Sequence, residues 1–189
     1  MPKIKSNIAL FLFCCFFCVF CSYAHSATKK HASRTPTETN DFELNYNYAA
    51  RLPQQIDYIG EKIIIVNPNI HVWGAYDQDG NLMRAGLMSA GADWCFDTGR
   101  RCHTKAGLFR VFSLGSPYCK SSLFPIPNGG APMPYCMFFN KNQALHGVHK
   151  GEVVEGNVSH GCVRLTVEDA KWLRYNFVEL GTLVIVYSY

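Results

Sequence analysis

The chain has 189 residues, 48% of them hydrophobic and 17% charged, with a formal net charge of +4. That balance is ordinary for a globular chain able to build one core, and the length suits a single domain with an appendage. Lys3 and Lys5 supply two of the net charges, and no basic stripe is interleaved with aromatics, so nucleic acid is excluded as a partner.

The N-terminus, "MPKIKSNIALFLFCCFFCVFCSYAHSA", has a basic head and an unbroken apolar run from Ile8 to Cys21. Small residues follow at alternate positions, Ser22 and Ala24 or Ala24 and Ser26. The run is shorter than the roughly 18 residues of a membrane span, so residues 1–26 read as a secretory signal peptide. The expected location is the periplasm or cell envelope, or outside the cell. Membrane attachment would come only through an uncleaved signal. Export changes what the cysteines mean, because four of the nine, Cys14, Cys15, Cys18 and Cys21, leave with the signal. Five remain: Cys95, Cys102, Cys119, Cys136 and Cys162. An odd count in an oxidising compartment suggests pairs and one free thiol. With Cys162 free, the other four allow three connectivities. Nearest-neighbour pairing, Cys95–Cys102 and Cys119–Cys136, is favoured because each closes a loop without regular structure. The alternative is four reduced cysteines acting as small hydrophobes.

Residues 27–55 are polar and aperiodic and read as a linker or arm, and the folded domain is expected over 56–189. "KIIIVNP" and "IHVWGAYD" are strand-like, and "DQDGN" turns the second into "LMRAGLMSAG" as a hairpin. "AGLFRVFSLG" alternates as one more strand, with Leu108, Arg110 and Phe112 on one side and Phe109, Val111 and Ser113 on the other. "YCMFFN" and "QALHGV" follow around an Asn-Lys turn. One helix is signalled over 166–181, opening at Thr166 with Glu168 and Asp169 in its first turn and closing on Gly181. "TLVIVYS" ends the chain as a strand. Many short strands with one helix predict a mainly β sandwich or barrel.

The stretch "HGVHKGEVVEGNVSHGCVRL", His146 to Leu165, concentrates the chemistry. Cys162 is a candidate nucleophile, which needs an imidazole or oriented backbone dipoles beside it. If "SHGCV" is extended, His160 and Cys162 share a face, and Gly161 opens the backbone between them. His146 suits a neighbouring strand, where a base meets a nucleophile distant in sequence. The competing chemistry is a zinc site built from His146, His149, His160 and Cys162. His149 falls in a loop between glycines and is given no role. Arg164 fits a substrate carboxylate through its planar fork, or else an ion pair with Glu168.

These residues closely resemble the signature of the L,D-transpeptidase catalytic domain, the YkuD-type family: His-Gly, a spacer, then Ser/Thr-His-Gly-Cys, an aliphatic residue and Arg or Asn. His146, Gly147, Ser159, His160, Gly161, Cys162, Val163 and Arg164 fill every position. The resemblance spans roughly Ile56 to Tyr189 and implies an L,D-transpeptidase-like β-sandwich with one helix after the cysteine. It implies an exported enzyme acting on peptidoglycan stem peptides through a thioester on Cys162, with no cofactor and no metal. His146 would be the base, oriented by the Gly147 carbonyl. N–H groups around Gly161 and Cys162 would hold the oxyanion, with His160 on the same wall and Ser159 and Arg164 beside the substrate. The same chemistry implies a covalent carbapenem adduct at Cys162. Two departures stand out. Thr104-Lys105-Ala106-Gly107 replaces the family's Thr-Pro-x-Gly, and the cysteine-bearing loops resemble elaborations of the enhanced-entry-type branch. Rival readings are an L,D-carboxypeptidase or amidase that hands the thioester to water, and a non-catalytic protein that binds wall or host on the same fold.

Overall fold

The computed structural model describes residues 48–57, 60–149 and 151–189. The signal at 1–26 and residues 27–47 of the expected linker lie outside the described residues. The rest of that segment packs on the domain. Tyr48, Ala49 and Leu52 join Ile70, Val72, Leu82 and Ala85 in one apolar cluster, and the Tyr76 hydroxyl donates to the Pro53 carbonyl at 2.9 Å.

The fold is mainly β, in two sheets. Strands β1 (Ile63–Asn67), β2 (Val72–Tyr76), β3 (Leu82–Leu87), β4 (Gly107–Arg110) and β9 (Leu183–Val186) form the first, in the order β3-β2-β1-β9-β4. Strands β5 (Ser113–Leu114), β6 (Met137–Asn140), β7 (Gln143–Val148) and β8 (Val163–Thr166) form the second, in chain order. The continuous apolar run of β1 is explained by its place. It lies between β2 and β9, and buries Ile64 and Val66 in the main core and Ile63 and Ile65 in a second cluster with Tyr76 and Leu183. The main core joins both sheets, with Ile64, Val66, Trp73 and Val184 from one and Met137, Phe139, Leu145, Val163 and Leu165 from the other.

Two elements differ from the expectation. "AGLFRVFSLG" is divided between sheets, β4 pairing with β9 and β5 with β6. Its alternation is kept as far as Val111, which is buried, while Leu108 and Phe112 stay exposed. Inserting Val111 into the core, with its N–H on the Thr182 carbonyl at 3.0 Å, carries the chain from one layer to the next. The helix is also shorter. Helix α1 (Val167–Trp172) is capped as read, the Thr166 hydroxyl accepting from the Asp169 N–H at 3.1 Å. It then widens into a π-helical turn over Leu173–Phe177 and stops. Val178 leaves in an extended conformation because it is buried in the core with Phe177, so Gly181 (φ 94°) serves the turn into β9 instead of a helix end.

Candidate active site

Strands β7 and β8 are parallel, and their register sets the site. Leu145 pairs with Val163 and His146 with Arg164. Paired positions on adjacent strands share a face and successive positions alternate. Leu145 and Val163 therefore point into the core, where both are fully buried, and His146 and Arg164 point away from it. Cys162 stands two residues before Arg164 and lines the same cavity of about 450 Å³ as His146, Ser159, His160 and Arg164.

His146 is almost wholly enclosed, with 6% of its surface exposed. Its Nδ1–H donates to the Gly147 carbonyl at 2.9 Å, which leaves Nε2 as the nitrogen with a lone pair. Burial pushes its pKa down to about 4, against the opposing pull of the Gly147 carbonyl. The ring is therefore neutral near pH 7 and able to accept a proton. Gly147 is fixed by close approach. A Cβ there would lie 3.0 Å from the Val167 Cα and 3.3 Å from the Pro134 Cγ, and its N–H donates to the Pro134 carbonyl at 2.8 Å.

Cys162 is the free thiol among the described cysteines; Cys95 is bonded to Cys102 and Cys119 to Cys136. Its S–H donates to the Asn142 carbonyl at 3.6 Å. Burial raises its pKa, opposed by the Ala144 N–H and by the charge of Arg164. Thiol and imidazole are thus both neutral near pH 7.

The turn before Cys162 is not extended. Gly161 has φ 120°, and residues 160–162 bend before β8 begins. His160 and Cys162 consequently reach the cavity by a bend and not by strand alternation. The Ser159 hydroxyl donates to the Cys162 carbonyl at 2.5 Å and accepts the Gly161 N–H at 3.0 Å, so that N–H is already engaged. His160 is held by Asp97. Its Nε2–H lies 2.8 and 2.9 Å from the two Asp97 carboxylate oxygens, and its ring lies 4.2 Å from that of Phe124. Asp97 belongs to the loop closed by Cys95–Cys102, and Phe124 to the loop closed by Cys119–Cys136.

Two positioning residues make contacts that the sequence reading did not anticipate. Buried Thr104 accepts the Gly91 N–H at 3.0 Å and donates to the Gly161 carbonyl at 2.9 Å, bracing the turn from behind. Gln143 accepts from the Lys105 N–H and donates to the His103 carbonyl, both at 3.0 Å. Together they pin the segment whose family proline is missing. Only Thr104 had a signal in the sequence, as the first residue of "TKAG".

The zinc set does not assemble. Among the described residues the group of three candidate metal ligands with converging donor atoms is Cys95, Asp97 and His160, and the Cys95 sulfur is in a disulfide. Among the described residues no carboxylate pairs with Arg164, so the Glu168 ion pair is not formed.

Comparison with known proteins places this arrangement. The family described as YkuD, L,D-transpeptidase catalytic domain, matches residues 61–186. No curated protein sequence matches the chain. Among solved structures, an L,D-transpeptidase from Xylanimonas cellulosilytica superposes with a TM-score of 0.60 at 23% identity, covering 73% of this chain and 66% of that one. An L,D-transpeptidase from Mycobacterium smegmatis gives 0.56 at 22%, covering 68% and 59%. L,D-transpeptidase 3 from Mycobacterium tuberculosis, in complex with a faropenem-derived adduct, gives 0.55 at 22%, covering 67% and 60%. The chain thus spans two thirds or less of the length of these structures, which share its fold.

Proposed function

Because the chain belongs to the YkuD family of L,D-transpeptidase catalytic domains, we propose that it is an exported cysteine acyltransferase that works on peptidoglycan stem peptides. The observation that carries the reading is the tautomer of His146. With Nδ1–H held on the Gly147 carbonyl, Nε2 keeps its lone pair, and His146 lines the same cavity as Cys162. Export is supported by the N-terminal apolar run and by two disulfides in the described domain.

His146 Nε2 takes the Cys162 proton as the sulfur attacks the carbonyl carbon of the diaminopimelate residue at its L-centre. The tetrahedral oxyanion collapses, the bond to D-alanine breaks, and the imidazolium returns its proton to the departing amine. A thioester remains on Cys162. The amine of a second stem then attacks the thioester, passes a proton to His146 and leaves the L,D cross-link, and the thiolate recovers that proton. Since the Gly161 N–H is held by Ser159, the Cys162 N–H is assigned as the oxyanion donor from this turn. Arg164 receives a substrate carboxylate. His160 serves as a strut to Asp97, not as a second base, because its Nε2 faces a carboxylate.

The test is intact-protein mass spectrometry after mixing with a carbapenem, with Cys162→Ala in parallel. A single adduct absent from the variant is expected. No adduct on the unsubstituted chain would overturn the nucleophile assignment.

A further inference from the structure

The cavity around Cys162 is walled by cations with little to neutralise them. Arg100, Arg101, Lys120, Lys141 and Arg164 line it, against one carboxylate, Glu152. Among the described residues none of the five takes part in an ion pair. The neighbouring acids make this informative. The loop "DWCFDTGRRCH" has two aspartates within a few residues of Arg100 and Arg101, the ordinary partners for exposed arginines. Both are turned elsewhere. Asp93 accepts from His103 at 2.5 Å, and His103 is stacked on Tyr189 with ring centroids 4.5 Å apart. Asp97 accepts from His160. Histidines thus hold the acids of this loop, and Arg100 and Arg101 line the cavity with no ion-pair partner among the described residues. Cys95–Cys102 limits how far their backbone can swing, and Cys119–Cys136 does the same for Lys120 in the other cross-linked loop.

We propose that Arg100 and Arg101, with Lys120, Lys141 and Arg164, form a recognition site for ligands bearing two or more free carboxylates, so that the enzyme selects unamidated, multiply acidic stem peptides. This rests on the wall-peptide reading above and narrows its substrate. Guanidinium forks bind carboxylates bidentately, and clustered cations in a partly enclosed site raise the local concentration of an anion. An amidated stem keeps its shape but exchanges a charged acceptor oxygen for a neutral NH2 donor, so it loses both the charge and the paired acceptors that guanidinium groups engage.

The experiment uses the exported chain carrying Cys162→Ala, titrated calorimetrically with a tetrapeptide stem in its free-acid form and with the same peptide amidated, at low and high salt. The acid form is expected to bind at least tenfold more tightly, with the preference shrinking as salt rises. Arg100→Gln with Arg101→Gln should remove most of that preference. Arg100→Lys with Arg101→Lys should keep most of it, and a matched thermal melt shows that both variants fold. Equal affinity for the two peptides, or a preference that survives the glutamine substitutions, would overturn the proposal. So would tighter binding of a poly(glycerol phosphate) fragment, which would assign the wall to a phosphate polymer. The two readings fail separately. If the carbapenem adduct forms but neither peptide binds, the anion site falls and the nucleophile stands. Selective binding of the acid peptide with no adduct would give the reverse.

Discussion

The β7–β8 pair and the two disulfide-closed loops meet at one cavity but are held in different ways. His146 lies on the parallel ladder and Cys162 immediately before it, and each side chain bonds a backbone group, the Gly147 carbonyl for one and the Asn142 carbonyl for the other. The loops at 95–102 and 119–136 have little regular structure and carry exposed Phe96, Leu123 and Ile126. Cross-links and the Asp97–His160–Phe124 contact hold them in place. Strand pairing fixes His146 and the residue that follows Cys162. Covalent clamps hold loops whose own backbone forms few ladders.

The largest effect that would separate the two regions is on the ladder. His146→Gln should slow carbapenem acylation of Cys162 roughly 10²- to 10⁴-fold while leaving the loops folded, read by stopped-flow and thermal melting. The pH profile sharpens the same point. With the thiol raised and the imidazole lowered, iodoacetamide should alkylate Cys162 faster as pH climbs through and beyond the usual thiol range. A rate that is already at a plateau in mildly acid solution would instead reveal a thiolate–imidazolium pair.

On the loop side, replacing Cys119 and Cys136 with serine should cost about 3 kcal/mol in a chain-entropy account of an 18-residue loop. Stem-peptide affinity should fall and the secondary structure persist, measured by denaturant titration and circular dichroism. Gly147→Ala crosses the boundary between the regions. Its new methyl meets the Val167 backbone, so a loss of about 1–3 kcal/mol is expected, with slower acylation as the carbonyl under His146 shifts. Asp97→Asn is the smallest. The pair is partly exposed and worth about 0–1 kcal/mol, so the melting temperature should barely move while proteolysis at the 95–102 loop speeds up.

The hairpin around Asp79-Gly80 and the strands that became β6, β7 and β9 were legible because each is a short, patterned run bounded by turn residues. The division of "GLFRVFSL" was not, since alternation reports which side chains are buried and says nothing about which sheet receives them. The bend at Gly161 was missed for a related reason. A glycine between two reactive residues is compatible with an extended strand, and only the contacts of Ser159, Thr104 and Gln143 around it select φ 120°. The cations of the cavity were individually visible but unremarkable, because they are scattered from Arg100 to Arg164.

By itself the sequence determined the chemistry available: an odd number of cysteines after the N-terminal apolar run, a histidine-glycine upstream of the last of them, and strands enough to bury a core. These follow from residue type and local spacing. The tertiary structure alone decided which nitrogen of His146 is free, that the Gly161 N–H is engaged, and that Asp93 and Asp97 face histidines and not arginines. Those choices depend on groups brought together from distant parts of the chain, and a hydrogen bond between them leaves no trace in the spacing of either partner.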